Sequence, residues 1–412
     1  MKRVVITGMG VVSPLGSTVQ DFWSSLLTKE CGIRPLTKLD SERYKGNSLS
    51  AEVQGLDKVS ANQNGQLDPY GKAIDYATTA AKSALRDAGL PEEMKEANNH
   101  AVIIGTTSGN QDMVERTINA FDIQNEETEL DQEAAEMLFH FRPIELSTKV
   151  AEQCNFGGPN MVIPTACAAG NYAFGSALSM IREGNTKVAI AGGADPFTRS
   201  CYTIFYRLGA MSQQDCRPFD QDRTGMVVGE GAGILVMEEL EHALERGARI
   251  YAEVKDYALS CDAHHPTAPD PEGSGATIAM NQVLERTKLK PEEISFVSAH
   301  GTGTRANDAH EAKAMKNIFG EELKDLPVHG LKSAMGHCMG AASALEAIAS
   351  VMSIKDQVIP PTLNTTKLDE TFDSTFQINS QPKPHKVKNV LSNSFAFGGN
   401  ICSVLFSEFN EN

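Results

Sequence analysis

No stretch of the 412-residue chain comes near the ~18 consecutive apolar residues of a membrane-spanning helix, so none is expected. Basic residues are scarce beside acidic ones, 37 against 53, and a net charge of -16 has the wrong sign for non-specific nucleic-acid binding. An acidic partner would need a local basic patch. The eight cysteines, at 31, 154, 167, 201, 216, 261, 338 and 402, form no CxxC pair. That dispersal excludes a disulfide framework and makes the cytosol the natural compartment. HExxH and paired-cysteine spacings are missing too, so His264, His265, His300, His310 and His337 are not expected to gather around a metal. Low-complexity tracts and short-period repeats are absent. The opening Met1-Lys2-Arg3 resembles the start of a secretory leader, but Gly8, Gly10, Pro14 and Gly16 interrupt the apolar run and no small-residue cleavage site follows. It reads as a first core strand and turn.

What is present is an ordinary globular composition, 41% hydrophobic and 22% charged with 34 glycines. Strand-like segments (Val4 to Thr7, Ala101 to Ile104, Val188 to Ala191, Ile294 to Val297) alternate with helical ones such as Ile74 to Ala88, which predicts α/β layering. A second strand opening at Tyr251, after the helix-like Leu240 to Arg246, divides the chain into 1–250 and 251–412 and suggests a duplicated architecture. Gln124 to Phe141, acidic then apolar, suits a helical insertion with a solvated face.

Three motifs carry chemistry. In Val162-Ile163-Pro164-Thr165-Ala166-Cys167-Ala168-Ala169-Gly170, an extended segment ends at a cysteine and a helical stretch, Tyr172 to Arg182, follows. A cysteine at such an elbow would sit at a helix N-terminus, where free N–H groups and the dipole are expected to lower the thiol pKa. A cysteine among alanines is more often a small buried hydrophobe, and the other seven keep that reading. Ser298-Ala299-His300-Gly301-Thr302-Gly303-Thr304 puts His300 in a glycine-rich turn at a strand end, where α/β proteins place chemistry, although such turns also exist for backbone reasons alone. Lys332-Ser333-Ala334-Met335-Gly336-His337 runs toward a helix carrying Glu346. Lys332 would pair with Glu346 beneath the site; taken alone, a lysine reads as surface.

The Cys-His-His set, with Lys332 and Asn393-Ser394-Phe395-Ala396-Phe397-Gly398-Gly399, resembles the β-ketoacyl-[acyl carrier protein] synthases, nearest the synthase II branch and close to type II polyketide ketosynthases. The likeness runs from Val4-Val5-Ile6-Thr7-Gly8 through Arg217-Pro218-Phe219-Asp220 and Gly229-Glu230-Gly231-Ala232-Gly233 to the last strand. It implies the thiolase fold, two βαβαβαββ halves in a five-layered α-β-α-β-α sandwich, working as a dimer. It further implies that Cys167 takes an acyl chain from the phosphopantetheine arm of an acyl carrier protein. His300 and His337 then promote decarboxylation of malonyl carrier protein, and no bound cofactor or metal is needed. The backbone amides of Cys167 and Phe397 would meet oxyanion charge. By the same resemblance Thr302 and Thr304 bind the pantetheine arm, Phe397 is an aromatic gate, and Asp262 and His265 belong to a second mobile loop.

Five departures from the family pattern stand out. Ala396 replaces a glycine before Phe397, where a methyl group restricts the backbone, and Ile401 follows Asn400 where an asparagine would support the loop. Ser108 replaces a bulky aliphatic residue of the acyl pocket, and Arg223-Thr224-Gly225-Met226 replaces Arg-Asp-Gly-Phe. Asn62 to Gln66 lacks the basic residues expected for carrier docking. These changes fit a polyketide or polyene pathway as well as fatty-acid elongation, with a homodimer or a heterodimer containing a chain-length-factor-like homologue. A catalytically silent chain-length factor would lack Cys167, His300 and His337. A thiolase would carry Cys-His-Cys and an initiating synthase Cys-His-Asn, so His337 separates this chain from both.

Overall fold

The computed structural model describes residues 1–56, 70–94, 99–121, 138–372 and 376–411. Asn62 to Gln66 and most of the Gln124 to Phe141 insertion lie outside them. Two units follow each other with the same order of elements. The first runs β1 (Val4–Val12), α1 (Lys72–Asp87), β2 (Ala101–Gly105), α2 (Glu145–Cys154), β3 (Asn160–Ile163), α3 (Ala169–Glu183), β4 (Val188–Asp195) and β5 (Gly231–Glu239). The second runs β6 (Ala252–Cys261), α4 (Ser274–Thr287), β7 (Phe296–Ser298), α5 (Arg305–Phe319), β8 (Pro327–His329), α6 (Ala342–Asp356), β10 (Asn389–Phe395) and β11 (Asn400–Ser407), with a short β9 (Gln377–Ile378) added at the edge.

The strands join in the order β9-β8-β7-β10-β11-β6-β1-β5-β4-β2-β3. Each unit thus repeats one pattern: three parallel strands, an antiparallel return strand, then its own first strand. The two units meet where β1 pairs with β6 through only Val5↔Glu253 and Ile6↔Ala252. That narrow seam lets the sheet continue while its halves stack as separate layers.

The layering can be read from side-chain alternation. Ala101 and Ile103 of β2 enter a central core with α3 and α6, whereas Val102 and Ile104 enter an outer core with α1 and α2. In the second unit Val390 and Val404 face the centre, while Leu391 and Leu405 pack on α4 and α5. Strands covered on both faces must be apolar on both, which explains their continuous hydrophobic runs. Helix α6 is buried all round from Ala342 to Ile354, as expected for the middle of five layers. This is the thiolase-type sandwich that the resemblance implies. Among the described residues no helix is long and apolar enough to cross a membrane.

One element differs from its expectation. β1 does not break at Gly8 but continues to Val12, and the turn follows at Ser13–Gly16. The glycines serve packing: a Cβ at Gly8 would lie 2.2 Å from the Ala84 carbonyl oxygen and one at Gly10 only 1.9 Å from that of Ala80. The alanine face of α1 therefore lies directly on the strand's backbone. Gly10→Ala is expected to destabilise the protein by about 1–3 kcal/mol through overpacking. Urea unfolding should show a lower midpoint with an unchanged slope; a midpoint at the wild-type value would show that α1 can shift freely.

Candidate active site

Cys167 sits in a short turn, Ala166–Ala168, between β3 and α3. Ala166 just before it has φ of 50°, a left-handed conformation costly for a residue with a Cβ, and this bend swings the chain sharply from strand into helix. The elbow inferred from sequence is present, but its effect on the thiol is not the expected one. Burial pushes the Cys167 thiol up to about 12, Lys332 opposes this and Asp195 adds to it. Desolvation of a thiolate in an enclosed site outweighs the favourable helix terminus.

Asp195, at the end of β4, is buried near Cys167 and saturated. It accepts from Thr106 Oγ1 at 2.9 Å, Thr107 N at 2.7 Å, Ser108 N at 2.9 Å, Ser108 Oγ at 2.8 Å and Gly340 N at 2.6 Å. Ser108 thus spends its hydroxyl on Asp195, and it does not line the cavity that contains Cys167.

His300 follows β7, and its backbone is fixed from α5: Glu311 accepts from His300 N and Gly301 N, both at 2.9 Å. Its ring is fixed from the other side by Lys332, which is 1% exposed. The Lys332 ammonium donates to the His300 carbonyl oxygen at 2.6 Å, to His300 Nδ1 at 3.3 Å and to Glu346 Oε1. A cation donating to Nδ1 leaves the imidazole proton on Nε2. Burial first, then Lys332 and His337, hold His300 well below the usual histidine range; burial and Lys332 do the same to His337. Both rings are therefore neutral at physiological pH. They stand nearly perpendicular, 83° apart, with centroids 5.4 Å apart. His337 is held through its backbone, its N–H donating to Val227 O at 2.7 Å and its carbonyl accepting from Gly229 N at 2.9 Å. Burial pushes Glu346 up to about 7 against the pull of Lys332.

These side chains share one cavity of about 240 Å³, lined by Cys167, His300, His337, Thr302, Thr304, Asp262, His265 and Phe397 among others. Lys332 and Glu346 lie behind the wall, so Ser108 is the one predicted site residue turned elsewhere. Thr302 and Thr304 face each other with hydroxyl oxygens 2.9 Å apart. Phe397 is 38% exposed and its ring lies 5.6 Å from that of Phe205. Two loops border the opening and bond to each other: Asp262 N donates to Gly399 O at 3.0 Å and Gly398 N to Pro266 O at 2.8 Å.

The departures take on definite meanings here. Ala396 has φ of -143°, extended backbone that any residue adopts, so its methyl group imposes no restriction in this state. Ile401 lines the cavity, and Asp262 Oδ1 beside it is enclosed without a partner among the described residues. Thr224 bonds Ser212 and Met226 joins the cavity wall. Among the described residues no group of three or more His, Cys, Asp or Glu side chains is arranged to hold a metal ion.

The "Beta-ketoacyl synthase, N-terminal domain" family matches residues 1–243, and its C-terminal domain matches 251–366. The chain belongs to the β-ketoacyl synthase family. It is 36% identical to 3-oxoacyl-[acyl-carrier-protein] synthase 2 of Synechocystis sp., over 99% of this chain and 98% of that one. The structure of the ishigamide ketosynthase/chain length factor matches with a TM-score of 0.91 and 38% identity, over 99% of this chain and 100% of that one. A type II polyketide ketosynthase bound to a hexaketide, in complex with its acyl-carrier protein, matches with a TM-score of 0.90 and 30% identity, over 99% and 100% of the two chains. The chain is accordingly a condensing ketosynthase, an acyltransferase of fatty-acid or polyketide synthesis.

Sequence reasoning missed Glu311 and Asp308 of this ketosynthase. Asp308 accepts from Phe219 N at 2.7 Å and Gly303 N at 3.2 Å, so the two carboxylates hold both ends of the His300 turn. Burial pushes Glu311 up to about 8 despite its two backbone donors. A signal did exist: both acids lie on the α5 face that carries Ala312, Met315 and Phe319, and carboxylates on a buried stripe require partners. For Cys167 a directional test follows. A thiol titrating this high exposes about tenfold more thiolate per pH unit, so iodoacetamide alkylation of Cys167, followed by peptide mass mapping, should climb without a plateau from pH 7 to pH 10. A plateau near neutrality would mean that the helix terminus dominates after all.

Proposed function

We propose that Cys167 carries the growing acyl chain and that His300 and His337 drive its condensation with malonyl carrier protein. The observation that supports this most is the sharing of one cavity by a thiol and two neutral imidazoles, one of which has its proton directed to Nε2.

In the first step the Cys167 sulfur attacks the thioester carbonyl of an acyl chain on phosphopantetheine. The carbon–sulfur bond to the carrier breaks, and the Cys167 proton ends on the departing pantetheine thiol. The amides of Cys167 and Phe397 stabilise the oxyanion, which removes the need for a strongly acidic thiol. In the second step the malonyl thioester oxygen accepts hydrogen bonds from His300 and His337. Its carbon–carboxylate bond breaks, CO2 leaves, and the electron pair becomes an enolate held by the two N–H donors. Enolate carbon attacks the Cys167 thioester, the carbon–sulfur bond to Cys167 breaks, the departing thiolate takes a proton from water to restore the thiol, and a β-ketoacyl chain remains on the carrier. Neutral rings suit this work, because an imidazole N–H stabilises the oxygen without protonating it irreversibly. Lys332, bonded to Glu346, holds the His300 tautomer by donating to Nδ1. This chemistry draws on no bound cofactor or metal.

Thr302 and Thr304 bind the pantetheine arm, while Phe397 and the loop of Asp262 and His265 gate its entry. The arm brings an acidic acyl carrier protein, and exposed Arg207 and Arg305, which adjoin cavity-lining Leu208 and Thr304, supply cations at the mouth. Edge strand β3, with Met161 37% exposed, offers unpaired backbone for assembly with a second copy or a chain-length-factor-like homologue. Cytoplasmic residence agrees with eight free thiols.

Intact-mass measurement after incubation with acyl carrier proteins tests the reading. Wild type and His300→Ala should gain one acyl group and Cys167→Ala none. Adding malonyl carrier protein should discharge wild type to a ketoacyl product while His300→Ala and His337→Ala stay loaded. Acylation of Cys167→Ala, or discharge of both histidine variants at the wild-type rate, would overturn it.

A further inference from the structure

His310 takes no part in the chemistry above, yet it is 1% exposed and lies beside Glu311 in the helix that holds the His300 turn. Its Nδ1 lies 2.7 Å from the backbone oxygen of Asp270, which can only accept, so Nδ1 carries the proton. Nε2 is enclosed with no partner among the described residues, an arrangement that costs free energy and that an apolar residue here would avoid. The ring stands edge-on to Phe395, centroids 5.2 Å apart at 80°, and Phe395 stands in the same way against His300, at 5.7 Å and 61°.

Asp270 closes the loop that begins at Asp262: its N–H donates to Asp262 Oδ2 at 3.1 Å, and its carbonyl also accepts from Gly273 N at 2.9 Å. Residues Asp262, His265, Pro266, Thr267, Ala268 and Pro269 of this loop line the cavity. Phe395 lies two residues before the gate residue Phe397 at the end of β10. One side chain thus touches the base of the entrance loop and the strand leading to the gate, from the helix that fixes the catalytic turn.

We infer that His310 is a positioning residue that ties the entrance loop Asp262–Asp270 to the His300 turn, so that the loop is in place when the malonyl unit reacts. The inference rests on the reading of His300 given above. Each contact of His310 is made within the second unit, whereas Cys167 belongs to the first. Acylation also needs the arm to enter but not a malonyl unit held against His300, so loss of the tie should slow the malonyl step much more than acylation of Cys167.

The test compares His310→Phe, which keeps a ring but loses the donor, with His310→Asn, which keeps a donor near the position of Nδ1. Single-turnover discharge of acylated enzyme by malonyl carrier protein should fall about tenfold or more in His310→Phe, the scale expected of a misplaced site, with Cys167 acylation little changed. His310→Asn should recover most of the rate. A second readout reports the loop directly. Exposed Cys261, whose thiol lies 3.6 Å from the Gly398 oxygen, should be alkylated faster in His310→Phe than in wild type or His310→Asn. If His310→Phe does not fold, His310→Leu against His310→Asn, of similar branched shape without and with the donor, makes the same comparison. Equal behaviour of the donor and donorless variants, or a parallel fall in acylation and discharge, would overturn the inference. His300→Ala is the control: its discharge at the wild-type rate would mean that the reading of His300 itself fails, whereas a blocked control with unaffected His310→Phe would reject only the role of His310.

Discussion

Lys332 is a buried ammonium with three N–H donors, and the structure meets them with His300 O, His300 Nδ1 and Glu346. A buried cation left short of partners would cost several kcal/mol, so each acceptor is required, and together they dictate the site. Glu346 must be buried in α6, which explains a carboxylate in the otherwise uncharged middle of that helix. The His300 turn must bring its carbonyl inward, which Glu311 and Asp308 enforce from α5. The same charge lowers the proton affinity of both imidazoles and opposes the rise of the Cys167 thiol. One cation therefore supports the ring orientation and tautomer of His300 and the neutral state of both histidines.

The fold makes such a concentration of groups affordable to sequence because its halves are duplicated. The starts of α3 and α6 meet in the central layer, where a Cβ on Gly170 would lie 2.7 Å from Ser343 Oγ and Asn171 N donates to that oxygen at 3.1 Å. Cys167 precedes one helix and His337 the other, so corresponding turns supply the thiol and one imidazole of the cavity. His300 comes from the end of β7, the counterpart of β2, whose own following turn is occupied by Thr106 to Ser108 bound to Asp195. The duplication has diverged in charge: a saturated aspartate sits behind the first turn and a saturated lysine stands behind the second.

Local features were the legible part of the sequence. Alternation of apolar segments gave the layering, and strand-end turns gave Cys167 and His300, because both signals depend on neighbours within about ten residues. The Lys332–Glu346 pair could be suggested from its proximity to His337, but its depth could not, since a lysine shows no mark of the layers that will cover it. The expected acidity of Cys167 failed for the same reason. A helix N-terminus is a local fact, whereas desolvation depends on side chains far along the chain, such as His300, His337 and Phe395, that enclose the sulfur. The partner of Ser108 was equally out of reach: Asp195, 87 positions away, takes its hydroxyl. Ala396 shows the converse, since its extended backbone removes a restriction that residue type alone suggested.

A high thiol pKa and depressed imidazole pKa values look like a poorly activated triad only if the resting state is taken as the reacting one. Desolvation penalises thiolate and imidazolium alike, and with both suppressed the enclosed site holds neutral donors with a single fixed cation behind them. In that setting the strongest response to developing negative charge on a thioester oxygen comes from preorganised N–H groups, which lose nothing by reorganising. A prior thiolate would be stabilised by the same groups and would compete with the oxyanion for them. On the proposed chemistry, keeping sulfur protonated until a thioester occupies the cavity reserves the donors for the transition state, and burial, more than any one neighbour, imposes that order.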